Sequence, residues 1–200
     1  MLFRSDDESN RAILGFNVTL LEDAEEIAER EDVRVFLDDV IYQLVEDYEE
    51  YVDAIERRRR EAVFENVIRP ARFRILRDHV FRQSDPAVVG VEVGSGTLRR
   101  NVPVGAFRNG GFDRVGVLKS IQDEGEDVDE LRAGERAAVS IEGPTVGRGI
   151  KEGDELWVDL PEKHAKVLEQ ELLEDLPADE REALSQFLDT KRDREPFWGK

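Results

Sequence analysis

The stretch ARFRILRDHVFRQSDPAVVGVEVG (Ala71–Gly94) decides the fold. It starts directly after Pro70 and holds three short strand-like runs, Ala71–Leu76, Val80–Gln83 and Ala87–Val93. Further runs follow at Val102–Phe107, Phe112–Ile121, Arg136–Ile141 and Glu155–Val158, and Asn109-Gly110-Gly111 is a strong hairpin turn. Thirteen of the 15 glycines fall between Gly90 and Gly153. Many short strands with turn residues between them predict a small antiparallel β-barrel over residues 70–160.

Upstream the character changes. No Gly or Pro occurs between Phe16 and Arg69. Ala12–Val18 (AILGFNV) reads as a buried strand, Leu21–Arg30 as a helix and Val33–Leu37 (VRVFL) as a second strand. This β-α-β pattern over 10–37 is too small to cover both faces of a parallel sheet, so it is expected to be the end of a larger α/β domain. From Asp38 or Asp39, as cap, a long helix is predicted to run to Arg69, roughly 45 Å at 1.5 Å per residue. Its apolar stripe (Ile41, Leu44, Val45, Tyr48, Val52, Ile55) is interrupted at Glu56–Arg60 and resumes at Val63. Apolar ends around a polar middle read as a strut between two packed bodies. Two helices of one bundle are the alternative.

Downstream, Pro161 and Pro177 each open a helix, where a missing N–H costs nothing. Val167, Leu168, Leu172, Leu173 and Leu176 line the first, and Ala183, Leu184, Phe187 and Leu188 the second. The tail Pro196-Phe197-Trp198-Gly199-Lys200 leaves two aromatics that either dock a partner or plug the chain's own barrel.

Charge bounds the partners. The net charge is −18, with 47 acidic against 29 basic residues, of which six are Lys (119, 151, 163, 166, 191, 200) and 23 Arg. An acidic chain repels a phosphate backbone. Acid-rich, lysine-poor composition also fits a cytosolic protein living in molar salt, where the Debye length falls to about 3 Å and self-repulsion costs little. Residues 57–114 nevertheless balance at +7 and the remainder at −25. That basic block inside an acidic chain points to an anionic partner.

Catalytic and metal chemistry finds little footing. No GxxxxGK[ST] occurs, and Gly94-Ser95-Gly96 and Gly143–Gly149 read as turns because no helix follows them. The two His residues, His79 and His164, have no second His at metal spacing and read as structural or solvated. Cysteine is absent, and no apolar run approaches the roughly 18 residues of a membrane span. The Arg57–Arg60 quartet either grips RNA phosphates or is a solvated face balanced by helical pairs such as Asp53–Arg57 and Glu56–Arg60. Arg82, Arg99, Arg100, Arg108 and Arg114 fall on barrel strands or loops and are the RNA-binding candidates, read as a set on one side with little acid nearby.

The segments ARFRILRDHVFRQSDPAVVGVEVGSGTLRRNVPVG and RVGVLKSIQDEGEDVDELRAGERAAVSIEGPTVGRGIKEGDELWVDLPEKHAKVL closely resemble the last β-barrel domain of the archaeal and eukaryotic initiation factor 5B family, related to bacterial initiation factor 2. Ser84-Asp85-Pro86-Ala87 and Ile141–Gly147 (IEGPTVG) are the specific parts, and the resemblance covers about residues 10–200. It implies an α+β chain: residues 1–9 a non-family leader or disordered (Met1–Ser5, MLFRS, departs from the family), 10–37 a truncated α/β end, 38–69 the linker helix, 70–160 the barrel and 161–200 a helical subdomain. It further implies a cytoplasmic, monomeric translation initiation factor fragment acting in ribosomal subunit joining. The barrel would hold the acceptor end of initiator methionyl-tRNA. The terminal helices would dock initiation factor 1A through Leu168, Leu172, Leu176, Leu184, Phe187, Leu188, Phe197 and Trp198. GTP and Mg²⁺ would belong to a family GTPase domain missing here, so the chain would hold no cofactor and no metal and would not be an enzyme. The alternative is a protein-interaction module whose barrel is only a platform.

Overall fold

Ala12–Phe16 forms strand β1, Glu22–Arg30 helix α1 and Arg34–Asp38 strand β2. β1 and β2 are parallel, in register from Ala12↔Arg34 to Phe16↔Asp38. The computed structural model describes residues 8–199, so the leader Met1–Ser5 lies outside the described residues. Helix α2 (Ile41–Asn66) follows β2 after Asp38 Oδ1 accepts the Val40 N–H at 2.6 Å. It lies against the two strands through Leu44 and Ile55, which are buried, while Phe36 meets Tyr48 and Tyr51 edge-on at 6.0 and 5.3 Å. The helix runs unbroken through Arg57–Arg60 for 26 residues, about 39 Å. The two-helix alternative is therefore excluded.

A second compact unit begins at Val67. Its strands are β3 (Ala71–Arg82), β4 (Ala87–Gly96), β5 (Leu98–Arg99), β6 (Val102–Arg108), β7 (Gly111–Asp123), β8 (Glu126–Val128), β9 (Glu130–Leu131), β10 (Arg136–Glu142) and β11 (Glu155–Val158). Six of them close a ring in the order β10-β4-β3-β11-β6-β7, with β7 returning to β10, every pairing antiparallel. The fold is thus α+β with a closed barrel. Closure leaves no free edge in the ring, with β8 added only as a hairpin arm of β7. Phe73, Ile75, Val91, Ile121, Ile141 and Leu156 fill the interior and are almost fully buried. Asn109 (φ 48°) and Gly110 (φ 85°) make the tight β6–β7 turn, the left-handed pair that such hairpins need.

Helices α3 (Glu162–Gln170) and α4 (Ala178–Arg194) close the chain, each directly preceded by its proline. Both are packed into the same unit as the barrel. Phe187 of α4 sits among Phe112 (5.5 Å), Phe107 (5.6 Å), Trp198 (5.8 Å) and Trp157 (6.3 Å). At the other end of α4, Glu180 is 1% exposed and Arg69 6%. The Arg69 Nε donates to Glu180 Oε2 at 2.6 Å, and the Thr97 hydroxyl donates to Glu180 Oε1 at 2.5 Å. His164 has a structural role, its Nδ1 accepting the Ile68 N–H at 3.1 Å.

This packing corrects one expectation. Leu168, Leu172, Leu176, Leu184, Phe187 and Leu188 are buried in the unit's own core and offer no surface to another protein. A helix two turns long must hide its apolar stripe somewhere, and here the barrel and the sister helix take it. The tail splits: Trp198 covers Phe187, whereas Phe197 is 88% exposed.

Candidate nucleic-acid interface

Four of the five arginines singled out above lie at two opposite ends of the barrel, and Arg114 lies between them. β3 and β6 run parallel to each other, since each is antiparallel to β11 between them. Arg82 and Arg108 are the last residues of those two strands and share one end, whereas Arg99 and the following Arg100 lie where β4 passes to β6, at the other. Arg114 sits on β7, paired with Gly105. Acid also meets most of them. Arg99 pairs with Glu130 at 3.1 Å, Arg100 with Asp129 at 2.8 Å, Arg108 with Asp154 at 2.5 Å and Arg114 with Asp159 at 3.7 Å. The expectation of one uncompensated arginine face is therefore wrong. The partners come from β9, the β8–β9 turn and the segments either side of β11, tens of residues away in sequence in every case.

These pairings show in the carboxylates. Burial alone would raise the Glu130 carboxyl, but hydrogen bonds from Arg132 and Arg99 outweigh it and hold it below the ordinary glutamate range. For Asp159 burial wins over the attraction of Arg114 and Lys191, and its carboxyl is pushed up. Arg108 is further committed by donating to the Gly149 carbonyl at 2.8 Å, which ties the β6–β7 end to the 143–154 loop. At that same end the Val146 N–H donates to the Gln83 carbonyl at 2.9 Å, so the Ser84–Ala87 and Ile141–Gly147 segments meet in space.

Arg82 differs. Its Nε donates to the Pro86 carbonyl at 2.9 Å, and among the described residues neither Arg82 nor Arg77 lies in an ion pair. Between them β3 bulges. Ile75 faces Val91 and Val80 faces Val89, so Leu76–His79 stand against Gly90 alone. A Cβ on Gly90 would come within 2.8 Å of the His79 Cβ, so only glycine lets His79 lie this close to the sheet. The His79 Nδ1–H donates to the Arg77 carbonyl at 2.6 Å, which leaves Nε2 for another partner. Phe81 stands 64% exposed beside it. Arg77, His79, Phe81, Gln122, Glu124 and Arg136 line an open groove of about 450 Å³ over Gly90, with Arg136 held by Glu92 at 3.0 Å. Sequence reading missed this groove and took His79 as bland. The available signal was a glycine inside an otherwise apolar strand, which marks a close approach.

Among the described residues no three His, Cys, Asp or Glu side chains gather as a metal site, and no helix is long and apolar enough to cross a membrane. What the groove can do is bind: aromatic faces for stacking, guanidinium groups for phosphate.

Comparison with known proteins bears on what is bound. The elongation factor Tu domain 4 family matches residues 69–157, and the translation-initiation factor 2 family matches residues 4–49. A protein of Halobacterium salinarum described as a probable translation initiation factor IF-2 is 71% identical over 195 residues, covering 98% of this chain and 32% of its own length. The chain belongs to the archaeal IF-2/aIF5B family. Similar IF-2 proteins come from Haloarcula marismortui, 65% identical over 97% of this chain and 32% of its own length, and from Methanococcoides burtonii, 48% identical over 99% and 33%. The crystal structure of GDP-bound aIF5B from Aeropyrum pernix superposes with a TM-score of 0.64 at 38% identity, covering 94% of this chain and 31% of that one. The chain thus spans about a third of the length of the IF-2 proteins it matches and corresponds to their C-terminal part. The matched relatives are archaeal initiation factors, and no GxxxxGK[ST] occurs in this sequence.

Proposed function

We propose that this chain is the RNA-binding end of a cytoplasmic translation initiation factor, and that the groove beside His79 and Phe81 seats the acceptor end of initiator methionyl-tRNA during ribosomal subunit joining. The observation that carries the reading is the exposed His79–Phe81 pair between Arg77 and Arg82, two guanidinium groups with no ion pair among the described residues. Single-stranded RNA is held by stacking bases on aromatic faces and pairing phosphates with cations. Base–aromatic stacking is worth about 1–3 kcal/mol per base, which suits an unpaired tRNA terminus better than a duplex. Arg99, Arg100, Arg108 and Arg114 are then positioning residues within the barrel, since each is engaged with a carboxylate of its own. The GTP and Mg²⁺ chemistry of the whole factor belongs to the remaining two thirds of the relatives.

The test compares binding of initiator tRNA carrying and lacking its methionyl-adenosine end, in molar KCl. Phe81→Ala is expected to weaken the charged tRNA by about tenfold, one lost stacking contact. Equal binding of both tRNA forms, or no effect of Phe81→Ala, would sink the acceptor-end reading.

A protein contact by the terminal helices is a second reading, favoured by Phe197 at 88% exposure and by Leu173, exposed on the turn after α3. Docking of initiation factor 1A would rest on these two and not on the six buried apolar residues. Deleting everything after Leu160 is no test of it, because that removes Phe187 and Glu180 from the core. Phe197→Ala with Leu173→Ala leaves the core intact and is expected to abolish capture of initiation factor 1A while sparing tRNA.

A further inference from the structure

The Arg57–Arg60 quartet on α2 is absorbed by none of the above. Four consecutive residues of a helix point in directions 100° apart, so they ring most of its circumference. All four are exposed, as are Glu56 and Glu61 on either side. Among the described residues neither Asp53–Arg57 nor Glu56–Arg60, the helical pairs of an ordinary balanced face, forms an ion pair. The Arg57 Nε turns back to the Asp53 carbonyl at 3.3 Å and the Arg58 Nε to the Ala54 carbonyl at 3.4 Å, backbone and not carboxylate oxygens. Arg58 reaches Glu8 only at 3.9 Å, and among the described residues Arg60 has no ion pair. In the barrel, by contrast, Arg69, Arg72, Arg74, Arg99, Arg100, Arg108, Arg114, Arg132 and Arg136 all reach a carboxylate within 4 Å.

In a chain of net charge −18, Arg57 and Arg60 share with Arg77 and Arg82 the lack of an ion pair among the described residues, and on α2 they stand with Arg58 and Arg59 as four consecutive exposed cations. From this we infer that Arg57, Arg58 and Arg60 form a second, sequence-independent contact with RNA, gripping the phosphodiester backbone of a duplex where it crosses the exposed middle of α2. Local acid keeps the surrounding charge near neutral, so long-range attraction is not the mechanism. In concentrated salt long-range attraction is screened within about 3 Å anyway. What survives there is the short, forked guanidinium–phosphate bond, for which arginine is better built than lysine. An RNA duplex offers its phosphates on the outside and its base edges poorly, so recognition there is by shape and backbone. The inference stands apart from the acceptor-end reading, since it concerns a different element and needs no single-stranded terminus.

The experiment uses the full chain and a blunt-ended RNA duplex without unpaired nucleotides, titrated over a KCl series at concentrations that keep the chain folded. Arg57→Gln, Arg58→Gln and Arg60→Gln combined are expected to cost roughly tenfold in affinity at the lowest salt. They should also flatten the slope of log affinity against log salt by nearly 3, three phosphate contacts at about 0.9 unit each. The matching Lys variant should regain most of the slope, and Phe81→Ala should leave duplex binding unchanged. An unaltered affinity and slope in the triple Gln variant overturns the inference. So does a loss seen with poly-glutamate in place of RNA. If the variants lose helicity, the unmodified chain decides: RNA must protect Arg57, Arg58 and Arg60 from phenylglyoxal, and equal modification with and without RNA overturns it.

Discussion

The two units of the chain satisfy the same hydrophobic pattern to very different degrees. In the barrel, closure buries the inward residues of each ring strand, and Val89, Val91, Ile121 and Leu156 are fully hidden. In the β1–β2 pair Ile13 and Phe16 each remain 49% exposed and Leu14 43%. The strands of both units are comparably apolar, so the difference lies in how many neighbours each strand has. Six strands closed on themselves need nothing more, while two parallel strands with helices on the same chain cannot cover both their faces. Apolar pattern specifies which way a side chain should face, and topology decides whether anything meets it there.

The sharpest way to break this contrast is to open the core of the closed unit. Glu180→Ala removes the carboxylate between Arg69 and Thr97 and strands a buried guanidinium, which should cost about 3–5 kcal/mol. Chemical denaturation at fixed salt should show the loss in the barrel's tryptophan signal, and a shift under about 1 kcal/mol would contradict the buried-pair account.

A middle-sized effect sits at the rim. Arg192 holds Glu169 through two hydrogen bonds, at 2.6 and 2.7 Å, and also donates to the Gly199 carbonyl. The Arg192 hydrogen bond lowers the Glu169 carboxyl, against a smaller upward push from burial, and the same bond raises the Arg192 guanidinium. A carboxyl lowered on folding adds stability that is complete above its ordinary value of about 4.5 and is lost as pH falls through its folded value. Glu169→Gln should therefore cost on the order of 1 kcal/mol at pH 7. The gap to the wild-type chain should close in acid below that range. A gap independent of pH would assign the loss to packing.

The smallest effect belongs to the open unit. Phe16→Ser should change its stability by no more than about 0.5 kcal/mol, because the ring is already half in water. A large loss would mean that β1 is better covered in solution than its exposure indicates.

Much of the fold was legible because it depends on local pattern. Glu155–Val158 appears as the strand expected, Asn109-Gly110 as the turn, and α2 as one long helix. What was hidden depends on register. Two runs, Ala71–Leu76 and Val80–Gln83, are one strand carrying a bulge, and nothing local says that its extra residues face Gly90. The arginine expectations failed for the same reason. Arg99 meets Glu130 and Arg108 meets Asp154 only because the barrel brings together positions 31 and 46 residues apart. Apolar faces on α3 and α4 were readable as apolar, but whether a partner or the chain itself covers them is a question of tertiary packing.

The pairing of Arg69 with Glu180 spans 111 residues, from the entry of the second unit to its last helix. Strand β11, which closes the ring between β3 and β6, is likewise the last strand made. A ribosome translating this chain must therefore release nearly all of it before either the ring or the buried pair can form. Until then β3 waits with one edge open and Arg69 in water. The unit cannot mature strand by strand as it emerges; it assembles late and as a whole, and a product shortened by only its final helix leaves synthesis with its seal missing.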